Sequence, residues 1–475
     1  MRLNESGPQH NWWTLAAVCG ATFMLLVDIT IVQVALPAVH HDLHASFTEL
    51  QWVLDAYSLS LASLLLTYGT LADRFGRKRV FVTGVAVFTL ASLLCGVSGS
   101  GLQLDLARAF QGVGGAAMFT TALALVAQDF AGPGRGSAIA FWGATVGGAV
   151  AVGPVVGGAL TDGLGWRWIF FVNLPVGAAV LAICALRMAN VADPHTEQLD
   201  LGGLVTFAGA LLLLVLALLR GNDEGWSSGT ILAMFAGAAV LLVLFLALEL
   251  RQARPMFDLS LFRNPAFCGV SATTFAIGAG MFAAFPYLTL YLQNLLGYSP
   301  LQGGLRLLPA TVLVFFVPIL ARRFAVGVPG GLMLGAGMAL VGVGLLLMSR
   351  VSNHSHWTVL LPGLLLAGAG IGLANPAIAQ IALAVVAPTR SGMASGINNT
   401  FRIGGVATGV AALGAVLQDR VHNDAVLSAG PRAAGAGGFA AAHVDFVSGV
   451  HDLLLVGAAI AGCGAIAALA LIRRP

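Results

Sequence analysis

Trp12–Ala35 reads WWTLAAVCGATFMLLVDITIVQVA, an apolar run interrupted by one ionisable residue, Asp28. A helix rises 1.5 Å per residue and needs about 20 apolar residues to cross the hydrocarbon of a bilayer, so this run is a membrane span. Outward from it, similar runs follow near 51–71, 79–98, 102–126, 136–160, 167–188, 201–219, 229–249, 266–292, 301–320, 328–349, 356–385, 392–417 and 448–472. The expectation is an all-α polytopic membrane protein of fourteen transmembrane helices. Composition agrees, since 58% of the 475 residues are hydrophobic before 61 glycines are counted and only 9% are charged, against about 25% charged in a soluble domain.

Short loops leave no room for a folded soluble domain, and the longest polar stretch, 418–447, reads as a flexible Gly/Ala loop. Before Trp12 there is no basic region followed by a cleavage site, so the first run is expected to remain as the first span. The net charge of +3 points to no nucleic-acid partner. Five cysteines lie singly in apolar runs, and the ten histidines fall in loops or at span ends without a metal-ligand spacing. No phosphate-cradling glycine loop and no nucleophile–base constellation is present, so neither an ATP-driven pump nor an enzyme is expected, and no cofactor. Of 23 basic residues, fifteen fall on one side if the N-terminus is cytoplasmic, including Arg74, Arg77, Lys78 and Arg79, and six on the other. The positive-inside rule therefore predicts both termini in the cytoplasm.

Ionisable residues inside spans are costly and mark function by default. Asp28 lies in the outer half of span one, Asp55 near the outer mouth of span two, and Arg108 about six residues into span four. Burial disfavours a charged carboxylate and a neighbouring cation favours it, so Asp28 can load and release a proton as its surroundings alternate. Alternatively it ties helices together. Arg108 either joins the cavity or is satisfied by Asp105 at i−3 on its own helix. Asp55 is expected to be hydrated. Arg402, beside Asn398 and Asn399, is either cavity-lining or helix-pairing. Asp55 and Asp73 are 18 residues apart and share one helix face, with Ser58, Ala62, Leu65 and Gly69 as a mostly small strip between them.

The run Gly69-Thr-Leu-Ala-Asp73-Arg74-Phe-Gly76-Arg77-Lys78-Arg79 resembles the G-x-L-A-D-R-x-G-R-K/R signature of the major facilitator superfamily. Glycine permits the tight turn, and the acid and arginines can pair as a breakable latch across helix ends. The resemblance implies that an acid at the inner end of span four, here Asp129, joins that latch. Leu106-Ala-Arg108-Ala-Phe-Gln111-Gly112-Val-Gly114 is similar to the span-four signature R-x-x-Q-G-x-G, whose arginine the family links to proton transfer. Gly153-Pro154-Val-Val-Gly157-Gly158 is similar to the antiporter motif, with Ala149 where glycine is frequent. Leu26-Val-Asp28-Ile-Thr30-Ile-Val-Gln33-Val-Ala-Leu-Pro37 and Trp166–Gly177 resemble the fourteen-span drug:proton antiporters, Gln33 replacing the usual asparagine.

The likeness continues through Tyr298–Pro309 and Gly392–Arg402, and Ala321–Phe324 looks like a decayed copy of the loop after span two. It implies a six-helix bundle over 1–188, two additional helices within 189–265 and a second six-helix bundle over 266–475. Several members of the subfamily carry an acid in the span that corresponds to thirteen, and none stands between Ser391 and Leu417 here. The implied function is a monomeric proton-coupled exporter of hydrophobic, in some cases cationic, drugs or antibiotics, working by alternating access in the bacterial cytoplasmic membrane. Asp28, Asp55 and Arg108 would carry the coupling, with Gln33, Gln111, Asn398 and Arg402 in the cavity. The alternative is a proton-coupled symporter for a small polar nutrient, which would want more polar side chains in the second bundle.

Overall fold

The computed structural model describes residues 12–472, apart from 131–132, 189–199, 253–256, 322–327, 354, 385–390, 424–425, 428–430 and 432–434. The described secondary structure is helical. The first half contains α1 (Trp12–Leu43), α2 (Phe47–Phe75), α3 (Arg77–Gly96), α4 (Gly101–Asp129), α5 (Pro133–Leu164), the single turn α6 (Trp168–Phe171) and α7 (Asn173–Arg187). The next two helices are α8 (Leu201–Glu224) and α9 (Gly229–Arg251). The second half contains α10 (Pro265–Ile277), α11 (Ala283–Leu290), α12 (Pro300–Ala321), α13 (Gly330–Met348), α14 (Leu361–Ala384), α15 (Ser391–Arg420) and α16 (Gly435–Leu471).

Local chemistry sets several of these boundaries. Ser46 and Glu49 form a reciprocal capping box at the start of α2, with Ser46 N–H donating to Glu49 Oε2 at 2.7 Å and Glu49 N–H to Ser46 Oγ at 3.2 Å. Gly76 alone joins α2 to α3 at φ +92°, a left-handed conformation that favours glycine. The expected tight turn of the latch loop is therefore present. Pro286 sits in α11 between two π turns, Gly278–Phe282 and Tyr291–Leu295. This broken ninth span is also the most deeply enclosed one, 89% buried over its apolar window.

Thirteen helices among the described residues are long and apolar enough to cross a membrane. The fourteenth expected span, α2, has the length at 29 residues, but Asp55, Ser58, Ser60 and Ser63 along it dilute its apolarity. The expected loop 418–447 is largely helix: α15 continues to Arg420 and α16 begins at Gly435. The alanines of 440–442 are strong helix formers, and the final helix begins upstream of the expected span 448–472.

Glycine sets how closely the helices approach. A Cβ on Gly114 would lie 2.7 Å from the Gly84 carbonyl oxygen, and one on Gly112 2.4 Å from that of Tyr57, so α4 packs nearly backbone to backbone against α3 and α2. The second half repeats the device, where a Cβ on Gly337 would fall 2.7 Å from Gly370 O and one on Gly344 2.6 Å from Gly363 O. The α8–α9 pair is peripheral, with 28% and 17% of its apolar windows buried. It nevertheless straddles the seam between the halves: Val215 and Leu219 of α8 cluster with Leu59 of α2 and with Ala407 and Ala411 of α15.

Candidate functional site

Five helices of the first half converge on one buried carboxylate. Asp28 of α1 accepts at Oδ2 from Arg108 Nη1 of α4 at 2.5 Å, and at Oδ1 from Gln111 Nε2 at 2.8 Å and Asn173 Nδ2 of α7 at 3.1 Å. Arg108 also donates from Nε to the Val53 carbonyl of α2 at 2.9 Å and from Nη1 to Gln111 Oε1 at 2.6 Å. Its guanidinium lies 4.2 Å from the centroid of the Tyr57 ring, a cation–π contact. Ser92 of α3 accepts from Gln111 Nε2 at 2.8 Å and Asn173 Nδ2 at 3.2 Å. The two charged side chains are 0% and 1% exposed. A desolvated pair of this kind is held by the hydrogen bonds its carboxylate and guanidinium receive and give, and removal of either partner strands a charge in low dielectric.

The two alternatives for Arg108 are thus resolved in geometry: it reaches across to Asp28 rather than to Asp105 on its own helix. Asp55 differs from expectation. It is 0% exposed, and among the described residues neither carboxylate oxygen has a hydrogen-bond partner. Asp55 lies about two turns into α2 and is fully enclosed instead of standing in a hydrated mouth.

A cavity lies beside the ion pair, lined by Ile29, Gln33, Leu54, Tyr57, Ser58 and Arg108 of the first half and by Val406 and Val410 of α15. Arg108 therefore stands between Asp28 and the cavity. Gln33 is among its lining residues. Arg402 is partly exposed and bonds Asn399 Oδ1 at 2.7 Å, while Asn398 accepts from Thr274 Oγ1 of α10 at 3.3 Å and so joins two helices.

The antiporter-motif glycines face two partners. A Cβ on Gly153 would lie 1.8 Å from Thr30 Oγ1, and one on Gly157 2.8 Å from the Ile31 carbonyl oxygen, which ties α5 to the helix that carries Asp28. A Cβ on Gly158 would lie 2.5 Å from Pro300 O of α12, and one on Gly304 2.2 Å from Pro154 O. The motif thus lies where the two halves meet. Hydrogen bonds join the halves at the same end of the molecule. Gln51 Nε2 donates to Tyr287 Oη at 3.0 Å and to Val410 O at 3.2 Å, Gln293 Nε2 to Val34 O at 2.8 Å, and Ser299 Oγ to Asp162 Oδ2 at 3.0 Å.

At the opposite, arginine-rich end, the backbone of Asp73 and Arg74 lies in α2, but their side chains are outside the described residues. Gly69 faces Thr120 of α4, and Arg77 begins α3. Asp129 accepts from Thr14 Oγ1 of α1. The decayed copy expected after span ten lies almost wholly outside the described residues. His40 bonds the Ala45 carbonyl at 2.7 Å, and no group of metal-ligand type occurs among the described residues.

Sequence reasoning missed Asn173, Ser92 and the Gln51–Tyr287 bridge. Asn173 had a visible signal, being a polar residue in an otherwise apolar run. Ser92 had none, since single serines are common in spans. Gln51 and Tyr287 are separated by 236 residues and become partners only in the fold.

Residues 18–410 match the family model of the Major Facilitator Superfamily. The chain is 37% identical over 405 residues to the multidrug resistance protein Stp of Mycobacterium tuberculosis (strain CDC 1551 / Oshkosh), covering 85% of this chain and 75% of that one. It is 36% identical to the puromycin resistance protein pur8 of Streptomyces alboniger, covering 86% and 82%, and 34% identical to a probable actinorhodin transporter of Streptomyces coelicolor, covering 88% and 74%. Among solved structures, a bacterial homologue of the human lysosomal transporter Spinster, inward-facing and unoccupied, superposes with a TM-score of 0.64 at 15% identity over 99% of this chain and 100% of that one. The matched length, the buried charged site and the thirteen apolar helices agree, and this multi-pass protein of the bacterial cell membrane belongs to the major facilitator superfamily.

Proposed function

We propose that this protein is a proton-coupled antiporter that exports hydrophobic drugs or antibiotics by alternating access. The observation that carries the reading is the placement of Arg108, which is bonded to Asp28 on one side and lines the inter-half cavity on the other. Protonation of Asp28 removes the charge that holds the guanidinium, so a proton at Asp28 and a changed cavity wall are one event. Asp55, buried without a partner, is the second carboxyl able to hold a proton, and Gln111 keeps Asp28 oriented in either state. The resistance named for two relatives, to multiple drugs and to puromycin, supports export.

In this reading α2 supplies the fourteenth span and the arginine-rich end faces the cytoplasm. The chain acts as a monomer of two six-helix halves, 1–188 and 266–475, with the extra pair in 189–265. The bonds among Gln51, Tyr287, Gln293 and Ser299 hold the outer end shut, and the loop Gly69–Arg79 with Asp129 latches the inner end in the alternate state. The test is a pH-gradient assay in inverted vesicles with a panel of lipophilic dyes and antibiotics. Wild type releases protons on substrate addition and Asp28→Asn does not. Unchanged release in the variant removes Asp28 from the mechanism, and co-uptake of protons with substrate favours the symporter.

A further inference from the structure

The wall of the inter-half cavity carries no unmatched charge. Arg108 is the one charged residue in the lining, and its ion pair with Asp28 neutralises it. Asp55 is sealed, and neither it nor Arg402 belongs to the lining. The second half presents only Val406 and Val410, and α15 has no acid between Ser391 and Leu417 to offer. Two uncharged polar side chains stand out in this wall, Gln33 of α1 and Ser58 of α2. They are 6% and 7% exposed, and among the described residues neither makes a hydrogen bond. Each follows by one turn an apolar residue of the same lining, Ile29 and Leu54, so both lie on the cavity face of their helices. The hydroxyl of Tyr57 is buried instead against Gly115 of α4.

We propose that the cavity selects uncharged molecules, an apolar frame bearing a carbonyl or hydroxyl that Gln33 and Ser58 hold by hydrogen bonds, in preference to cations and carboxylates. This rests on the exporter reading above and names its substrate class. A bound cation would lie beside the Arg108 guanidinium with no free carboxylate to receive it. A bound anion would compete with Asp28 for a guanidinium that is already paired. Either charge would leave water without a partner, and a buried charge needs one. The Gln33 amide has two N–H donors and an acceptor oxygen, and the Ser58 hydroxyl can donate or accept, so together they match a carbonyl or a hydroxyl. Ile29, Leu54, Val406 and Val410 supply the apolar contact. A mostly apolar cavity with a few convergent polar groups orients its ligand through those groups, and an analogue that lacks the matching group leaves them unpaired and is rejected.

The full chain is reconstituted in phosphatidylcholine vesicles, and the binding of tricyclic probes of similar size is followed by fluorescence against protein-free vesicles. Acridone is an uncharged carbonyl compound, N-methylacridinium a cation, 9-anthracenecarboxylate an anion, and anthracene has no hydrogen-bonding group. Acridone is expected to bind about tenfold more tightly than each of the others, the scale of one or two net hydrogen bonds. Gln33→Leu is expected to remove most of that preference, and Gln33→Asn, which keeps the amide on a shorter arm, to retain part of it. Ser58→Ala is expected to weaken acridone about threefold and to leave anthracene unchanged. All variants are checked for folding by size-exclusion chromatography and helical content. Binding of the cation or the anion as tight as that of acridone overturns the proposal, as does an absence of acridone binding or a preference that survives Gln33→Leu. If N-methylacridinium is exported in exchange for protons while acridone is not, the exporter reading stands and only this inference falls. Failure of every compound in the dye and antibiotic panel, these probes included, defeats the exporter reading itself.

Discussion

Asp55 and Asp28 show how differently two carboxyls can be treated in one bundle. Asp28 has three donors from two helices, so each lone pair it turns inward is satisfied. Asp55 has none. An unsatisfied buried polar group costs about 1–3 kcal/mol, a cost that an exporter tolerates where the group binds a proton. Asp55→Val, close in volume, is therefore expected to raise stability by about 1–3 kcal/mol, seen as a higher midpoint in detergent thermal unfolding, while proton-coupled dye export falls. A variant that unfolds earlier than wild type contradicts this. The sequence marked both acids by their position in spans. It expected Asp55 to be hydrated, and that failed because the outcome depends on which helices surround each acid and supply donors.

At the scale of elements, α5 is a spacer whose small faces fix two distances at once. Thr30 and Ile31 press on one side of it and Pro300–Leu301 on the other. Gly158→Ala places a methyl 2.5 Å from a backbone oxygen that has no rotamer with which to retreat, so α12 must move. Gly148→Ala, with nothing within 4 Å of the new carbon, is the control. Export is expected to drop severalfold in Gly158→Ala and to remain near wild type in Gly148→Ala. Reaction of a cysteine at Ser299 with a membrane-impermeant thiol reagent should also accelerate in the Gly158→Ala background. Equal labelling rates in the two backgrounds contradict the spacer role. The glycines were legible in the sequence as a motif, but which helices they pack against was not. The same holds for α8 and α9, which read as an insertion between halves and fold as a brace along the α2–α15 seam, with Asn222 Nδ2 bonded to Ala415 O at 2.6 Å.

Across the whole molecule, the two halves are bonded at the end away from the arginines. Gln51 and Tyr287 both reach the Val410 carbonyl, which makes a three-helix junction of α2, α11 and α15. Net hydrogen bonds of this type contribute about 1 kcal/mol each, so Gln51→Leu with Tyr287→Phe removes enough to move a balanced two-state equilibrium by about tenfold or more. Spin labels at Gly163 and Gln302, on the facing ends of α5 and α12, are expected to report a longer distance population in the double variant. An unchanged distance distribution would mean that this junction does not hold the end shut. Hydropathy and arginine bias alone determined that the chain is a bundle of membrane helices, because the bilayer admits few other solutions for so apolar a sequence. Short motifs identified the family and most of the charged residues that matter. Only the tertiary structure decided that Arg108 belongs to Asp28 and not to Asp105, that Asp55 is sealed, and that Gln33 lines the cavity beside Arg108. Those outcomes depend on contacts between helices far apart in sequence, and helical periodicity fixes a residue's face without fixing its partner.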